Sequence, residues 1–328
     1  MVFKKLLGSL GIGGPTVDTV LEGGPVQPGG ALRGQLHLVG GKADFDIEQI
    51  TLELVARVEA EHDDGEAEGT LSFERFAVGG GFRLVAGERR SLPFAVTVPW
   101  ETPVTELHGQ SLGVVLGLRT ELAVAGGKDK GDLDPLVVRP LPAQEAILEA
   151  FGQLGFGFKS ADLEYGHIGG TSQRLPFYQE VELTPAAQYA HAMREVELTF
   201  LANPGGIEVV LEADKPGGLF SSGHDAVNRF TVGHQGVDEH DWKAEVEGWV
   251  RQLAAGHGIH AVPAPHDHGH GGHHHEDSHH RSGPGMGTAV AAGAAGLAVG
   301  VVGGMVAAEI VDEVGDFFEG DDEEGEED

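Results

Sequence analysis

The densest set of groups able to do chemistry in this chain is a run of imidazoles. His266-Asp267-His268-Gly269-His270-Gly271-Gly272-His273-His274-His275, followed by His279-His280, sets histidines in alternating and adjacent positions. Two or three such nitrogens can satisfy Zn²⁺, Ni²⁺ or Cu²⁺. The candidate ligands are His266, His268, His270, His273, His274 and His275. With no packed residues behind the rings, a site here is adaptable and unselective. Adventitious, weak binding of a divalent transition metal, a soluble spacer with no ligand role, and a physiological metal function all remain open. A pH-responsive spacer is a further reading, because imidazoles with a pKa of ~6.5 gain charge below neutrality. No other cofactor is expected.

A second set of residues carries the outline of a nucleophile. Gly109-Gln110-Ser111-Leu112-Gly113 matches G-x-S-x-G. A nucleophile elbow needs a buried strand before the serine and a helix after it. Here Leu112 to Val124 alternates as a strand, so Ser111 lacks that setting, and His108 reads as a surface loop residue. H-E-x-x-H, P-loop and G-x-G-x-x-G patterns are absent, and carboxylates such as Glu180 and Glu182 alternate with apolar residues as solvent-side strand positions do. No catalytic residue is expected, and the chain reads as a non-enzyme.

Composition narrows the partners. The 328 residues suffice for two domains plus tails, and the 53 glycines with 6% aromatics imply many turns and some low-complexity sequence. A net charge of −31 opposes sequence-independent binding to nucleic acid, where affinity comes from Lys and Arg. It equally opposes broad docking on an anionic membrane. Cysteine is absent, which removes disulfides, thiolate nucleophiles and Cys-metal sites.

The elements that would position any site are strands. Val17–Leu21 and Leu32–Leu38 flank a Gly/Pro-rich break. Leu52, Leu54, Ala56 and Val58 share one strand face, and Leu71–Val78 is strand-like. Leu92, Phe94, Val96 and Val98 alternate up to Pro99-Trp100-Glu101-Thr102-Pro103. No long amphipathic helix interrupts residues 17–125, the pattern of an all-β sandwich. Residues 128–142 read as a linker, with Leu136–Pro140 as an extended crossing segment. A short helix over Gln144–Phe151 follows. Leu175–Leu183, Glu195–Leu201, Ile207–Glu212 and Arg229–Val232 form a second β set. Asn203-Pro204-Gly205-Gly206 is the turn of a hairpin, and Asp238–Leu253 is a helix packing Trp242, Val246, Trp249, Val250 and Leu253.

The opening run FKKLLGSLGIGGPTVDTVLEGGPVQPGGALRGQLHLVGG closely resembles the N-terminus of the stage-zero sporulation-control M family. Val98–Pro103, Leu118-Arg119-Thr120-Glu121-Leu122 and Asp132-Leu133-Asp134-Pro135 are similar to that family's landmarks, over about residues 1–255 in all. The resemblance is to the actinobacterial type with a His-rich, Gly/Ala-rich tail. It implies two arrestin-like antiparallel β-sandwich domains with a few short helices and a low-complexity C-terminal tail. It also implies a regulator of sporulation-type development. Expected boundaries are 1–127 for the first sandwich, 128–142 for the linker, 143–256 for the second sandwich with its terminal helix, and 257–287 for the His-rich linker.

The lead Met1–Leu10 can be a helix lying as a lid on the core, a weak membrane-contact helix or a signal peptide; the first reading places the protein in the cytoplasm, peripheral to the membrane at most. Residues 288–308 are uncharged and almost entirely Ala, Gly and Val, and Ala292, Gly296, Gly300 and Gly304 recur every fourth residue, a self-association stripe on a helix. A locally packed helix, a homo-oligomer contact, and a membrane contact or span remain open. Residues 309–328 hold twelve acids, a solvated tail. Two functions follow. One is a non-enzymatic regulatory scaffold binding protein partners whose identity the sequence leaves unnamed. The other is a membrane-associated or self-assembling adaptor acting through the Gly-spaced segment.

Overall fold

The computed structural model describes residues 13–62, 65–214 and 226–255. In chain order its elements are β1 (Thr16–Glu22), β2 (Ala31–Val39), β3 (Phe45–His62), β4 (Gly65–Gly79), β5 (Phe82–Leu84), β6 (Arg89–Thr97), β7 (Glu106–Leu107) and β8 (Gln110–Ser111). Then come β9 (Leu116–Val124), β10 (Lys130–Pro135), α1 (Pro142–Gln153), β11 (Gly157–Tyr165) and β12 (Phe177–Thr184). The chain continues through β13 (Glu195–Asn203), β14 (Gly206–Asp214), β15 (Ala226–Val232) and α2 (Trp242–Ala254). The protein is mostly β, as its alternating pattern predicts.

In the first half a three-stranded antiparallel sheet, β1-β2-β6, faces strands β10-β9-β3 with β4 and β5. Their apolar sides supply Val17, Leu36 and Leu38 from one layer and Leu52, Leu54, Leu118 and Leu122 from the other, all buried. At one edge the layers are bonded directly. The Thr19 N–H donates to Asp132 Oδ2 at 2.7 Å, and the Thr19 and Thr120 hydroxyls lie 2.6 Å apart.

The centre of this half holds a charge that strand alternation alone would put in solvent. Glu53 is only 3% exposed. Strand register sets Arg75 of β4 and Arg119 of β9 on either side of it. Arg75 Nη2 lies 2.6 Å from one carboxylate oxygen, and Arg119 Nε donates to the other at 2.8 Å. A buried carboxylate without such partners would cost several kcal/mol, on the order of a whole domain's margin of stability.

Residues 128–142 depart from the linker expected of them. Lys130–Pro135 is the edge strand β10, antiparallel to β9 from Lys130↔Leu122 to Pro135↔Gly117. Ladder hydrogen bonds and the Asp132 contact hold an edge strand without an apolar alternation, which is why its composition reads as loop. Beyond it, Leu136 and Val138 are buried. The crossing segment is sewn to the first half by Val26 N–H to the Val137 carbonyl (3.0 Å) and Arg139 N–H to the Val26 carbonyl (2.9 Å). Pro142 then occupies the first turn of α1, where its missing N–H costs nothing, and Gln144 Oε1 accepts from the Leu141 N–H at 2.8 Å.

The second half is the antiparallel series β11-β12-β13-β14-β15, with the β13–β14 hairpin closing at Asn203↔Gly206 as its turn residues predict. Helices α1 and α2 pack on one another, and Trp249 of α2 stacks on Phe230 of β15 with ring centroids 4.6 Å apart. Parallel pairing of Glu59 with Glu164 joins β3 to β11, so one ten-stranded sheet runs through both halves. No helix of the described residues is long and apolar enough to cross a membrane. The lead Met1–Leu10, the histidine tract, the set Ala292, Gly296, Gly300 and Gly304, and the acidic tail lie outside the described residues.

Candidate binding cleft

Where the two halves meet, a cavity of about 600 Å³ opens. That volume is within the range typical of pockets for small molecules or short peptide segments. Its wall is built from Phe73 of β4, Pro99-Trp100-Glu101 after β6, Arg174 and Leu175 before β12, and the β13–β14 turn at Asn203-Pro204. Phe73, Trp100, Leu175 and Pro204 give it an apolar lining.

Trp100 is placed by backbone geometry on both sides. The turn carrying it closes when the Thr102 N–H and hydroxyl both donate to the Pro99 carbonyl, at 3.2 and 2.8 Å. Its indole lies over Gly29, which has φ +71° and where a Cβ would sit 2.5 Å from the ring. Only glycine tolerates both the positive φ and that approach. On the side of the second half, the Trp100 ring stacks on His234 at 5.0 Å and 30°. His234 is itself fixed by Nε2–H donation to the Asn203 carbonyl at 2.7 Å.

The carboxylates of the cleft are already engaged. Glu101 accepts from the backbone N–H of Arg174 (2.8 Å) and of Leu175 (2.9 Å), so one acid of the first half caps a backbone turn of the second. Glu74 accepts from the Arg75 N–H at 3.0 Å. Arg174 differs: its side chain is exposed and makes no ion pair among the described residues. In a chain of net charge −31 this leaves one open cation on an apolar wall.

Beneath the cleft the halves are pinned by two further contacts. Phe73 meets Phe177 edge-to-face at 5.4 Å. The Gln179 amide pairs with the backbone of Val104 on both its atoms.

A second feature lies on the strand faces of the second half rather than in the cleft. Asp162 is directly opposite Glu180, and Glu182, Glu197 and Glu212 follow one another across β12, β13 and β14. Burial, then the nearby Glu197, pushes the Glu180 carboxyl up to about 9, so it keeps its proton at neutral pH. Burial, then Glu182, pushes Asp162 up to about 6. Lys159 offsets one end of the row, with Nζ 2.8 Å from Glu182 and 2.7 Å from Glu195. Glu180 is thus half-buried rather than fully solvent-facing, with Asp162 directly opposite it on β11.

Of the residues singled out in the sequence, Ser111 is exposed in the two-residue strand β8, with β9 beginning only at Leu116. No helix follows it, and its hydroxyl accepts from the Gly113 N–H at 3.2 Å. The six candidate metal ligands of the tract and the four small residues of the stripe fall outside the described residues. The cleft is not legible in the sequence, because its wall comes from four separated segments. The Pro99–Pro103 landmark was the one hint.

Residues 3–217 match the protein family described as SpoOM protein, well over half of the chain and all of the cleft wall. The chain belongs to the Spo0M family. It is similar to the sporulation-control protein Spo0M of Bacillus subtilis (strain 168), with 39% identity over 215 residues, which are 65% of this chain and 80% of that protein. The crystal structure of Spo0M from Bacillus subtilis superposes with a TM-score of 0.63 at 31% identity, covering 74% of this chain and 99% of that one. The family-model match ends at residue 217, before β15 and α2, and the histidine tract lies wholly beyond it.

Proposed function

We propose that this chain is a non-enzymatic regulatory adaptor that captures protein partners in the control of sporulation or cell development. Its relationship to a sporulation-control protein supports a sporulation-related role. The observation that carries the adaptor reading is the cleft. Glu101 is used internally, while the half-buried Trp100 side chain, held between Gly29 and His234, and the exposed Arg174 side chain border the opening that an incoming segment would fill. An arrestin-like use of paired β layers fits the same picture, with the partner held between halves and extended along strand edges. The protein acts in the cytoplasm.

The test is a crosslinking pulldown from a developing culture of the source organism. Baits are the full-length protein, Trp100→Ala and Arg174→Glu. Loss of the same captured proteins from both variants supports the reading, and an unchanged set overturns it. Turnover of a defined metabolite, abolished by Trp100→Ala, would instead make the chain an enzyme. The alternative adaptor, working through Ala292, Gly296, Gly300 and Gly304 at a membrane or in an oligomer, rests on residue spacing alone.

A further inference from the structure

The turn between β7 and β8 carries a cluster that the cleft does not use. Leu107 pairs with Gln110, leaving His108-Gly109 as a two-residue hairpin loop. Both residues have positive φ, +53° and +77°, the geometry of a type I′ turn. Among the described residues His108 alone, glycines apart, adopts such a φ. That backbone holds the imidazole over the outer face of α1. There Nδ1 lies 3.1 Å from Glu145 Oε1 and Nε2 lies 3.2 Å from Glu149 Oε1.

Glu145 and Glu149 are one helical turn apart, so their side chains rise side by side. The opposite face of α1 is committed to the core through Ala143, Ile147, Ala150 and Phe151. The cluster therefore rests on a fixed platform on the helix side and a closed turn on the other. One ligand atom from each of the three residues lies within 4.8 Å of the other two.

The chemistry of this arrangement asks for a cation. A neutral imidazole has one N–H and one bare nitrogen, whereas here both nitrogens face carboxylate oxygens. One of the two contacts would set lone pair against lone pair unless a positive charge enters. One imidazole nitrogen and two carboxylate oxygens are a ligand set that Zn²⁺ accepts, with water completing the tetrahedron. The two short contacts use different ring nitrogens, so a common ion takes one of them, and the imidazole and the farther glutamate must turn toward each other until ligand atoms now within 4.8 Å close to roughly 3–3.5 Å.

We propose that His108, Glu145 and Glu149 form a surface site for a divalent transition metal of the Zn²⁺ kind. The ion ties the β7–β8 hairpin to α1, and so the first half of the fold to the first element of the second. The site is separate in sequence from the histidine tract, which lies outside the described residues.

The test is thermal unfolding of the full-length protein with and without ZnCl₂. An ion held only by the folded site raises Tm, by roughly 5–10 °C at zinc about a hundredfold above its dissociation constant. His108→Asn is the informative variant, because Asn-Gly favours the same turn and the hairpin keeps its shape. It should lose the zinc-dependent rise, as should Glu145→Gln combined with Glu149→Gln. Replacing His266, His268, His270, His273, His274 and His275 with Ser should keep it. An equal rise in His108→Asn, a rise that disappears with the tail histidines, or no rise at all overturns the proposal. So does a Tm that ignores zinc but climbs on acidification only when His108 is present, since the bound cation would then be a proton.

Discussion

Gln179 treats Val104 as a neighbouring strand would. The Val104 N–H donates to Gln179 Oε1 at 2.8 Å, and Gln179 Nε2 donates to the Val104 carbonyl at 2.8 Å. Val104 is only 4% exposed, so its backbone depends on this amide for its partners. One side chain of β12 thereby completes the backbone pairing of a first-half segment and fixes how the halves meet below the cleft.

Gln179→Ala should lower stability by about 2–4 kcal/mol, because it orphans a buried donor and a buried acceptor together. Gln179→Glu keeps the acceptor but sets a carboxylate against the Val104 carbonyl, so it should recover only part of the loss at neutral pH. Urea unfolding of the three proteins checks the order wild type, Glu variant, Ala variant. Equal midpoints for all three would remove this contact from the stability of the fold.

Gly29→Ala should disturb the cleft without touching a polar group. The new methyl would meet the Trp100 ring at 2.5 Å, at a φ of +71° that non-glycine residues resist. Trp100 must then move off His234. The expected readouts are a shift in tryptophan emission and weakened partner capture, matching Trp100→Ala, where a central aromatic anchor is worth about 2 kcal/mol or roughly 30-fold in affinity. Unaltered emission would mean that the ring has room to accommodate the methyl.

The Glu53 cluster should respond asymmetrically. Arg75→Ala combined with Arg119→Ala leaves a buried carboxylate without its cations, at a cost of about 3–5 kcal/mol. Glu53→Gln leaves two arginines whose side chains reach solvent, 60% and 32% exposed, and should cost less. Denaturant titration of both variants checks this. A larger loss for Glu53→Gln would show that the arginines need the acid more than it needs them.

Stability should fall as pH rises across the acidic strand face. Glu180 has its pKa raised from 4.5 to about 9, and Asp162 from 3.8 to about 6. Between those limits the folded chain holds protons that the unfolded chain has released, so raising pH favours unfolding, by at most about 1.4 kcal/mol per pH unit and group. The Asp162 contribution is complete near pH 6, and that of Glu180 continues to about pH 9. Glu180→Gln should flatten the slope above pH 6 and raise stability at pH 8. Melting curves from pH 5 to 9 measure both, and parallel profiles for variant and wild type would contradict the assignment.

A chain ending at Gly256 should melt with the full-length protein, because α2 closes at Ala254 and its cap residue Ala255 donates to the Arg251 carbonyl at 3.0 Å. Light scattering and membrane fractionation of both lengths then isolate the tail. Identical particle size and partition leave function to the cleft. A larger particle or membrane recovery confined to the full-length chain transfers it to the stripe at Ala292, Gly296, Gly300 and Gly304.

Much of the fold could be read from local pattern. Leu52, Leu54, Ala56 and Val58 alternate and are buried, Asn203-Pro204-Gly205-Gly206 turns the β13–β14 hairpin, and Val246, Trp249, Val250 and Leu253 form the buried stripe of α2. Strand β10 escaped, since an edge strand held by ladder bonds needs no apolar face. Glu53 escaped because alternation separates the two sides of a strand without saying whether the polar side is covered, and Glu180 because it does not say which acids of neighbouring strands stand beside it. The bland reading of His108 as a loop residue held for its exposure and missed the two carboxylates beneath it.

The sequence by itself determined what is local. Side-chain period selects strand or helix, Gly and Pro set the turns, and the opening forty residues with the Pro99–Pro103 and Asp132–Pro135 segments carry the family. Tertiary structure alone decided which distant residues meet. Arg174 comes to the Trp100 cleft, Gln179 to Val104, and both glutamates of α1 to His108. The reason is physical: period and turn chemistry act over a few residues, whereas these encounters depend on strand register and on the packing of one half against the other, which sum contacts from the whole chain.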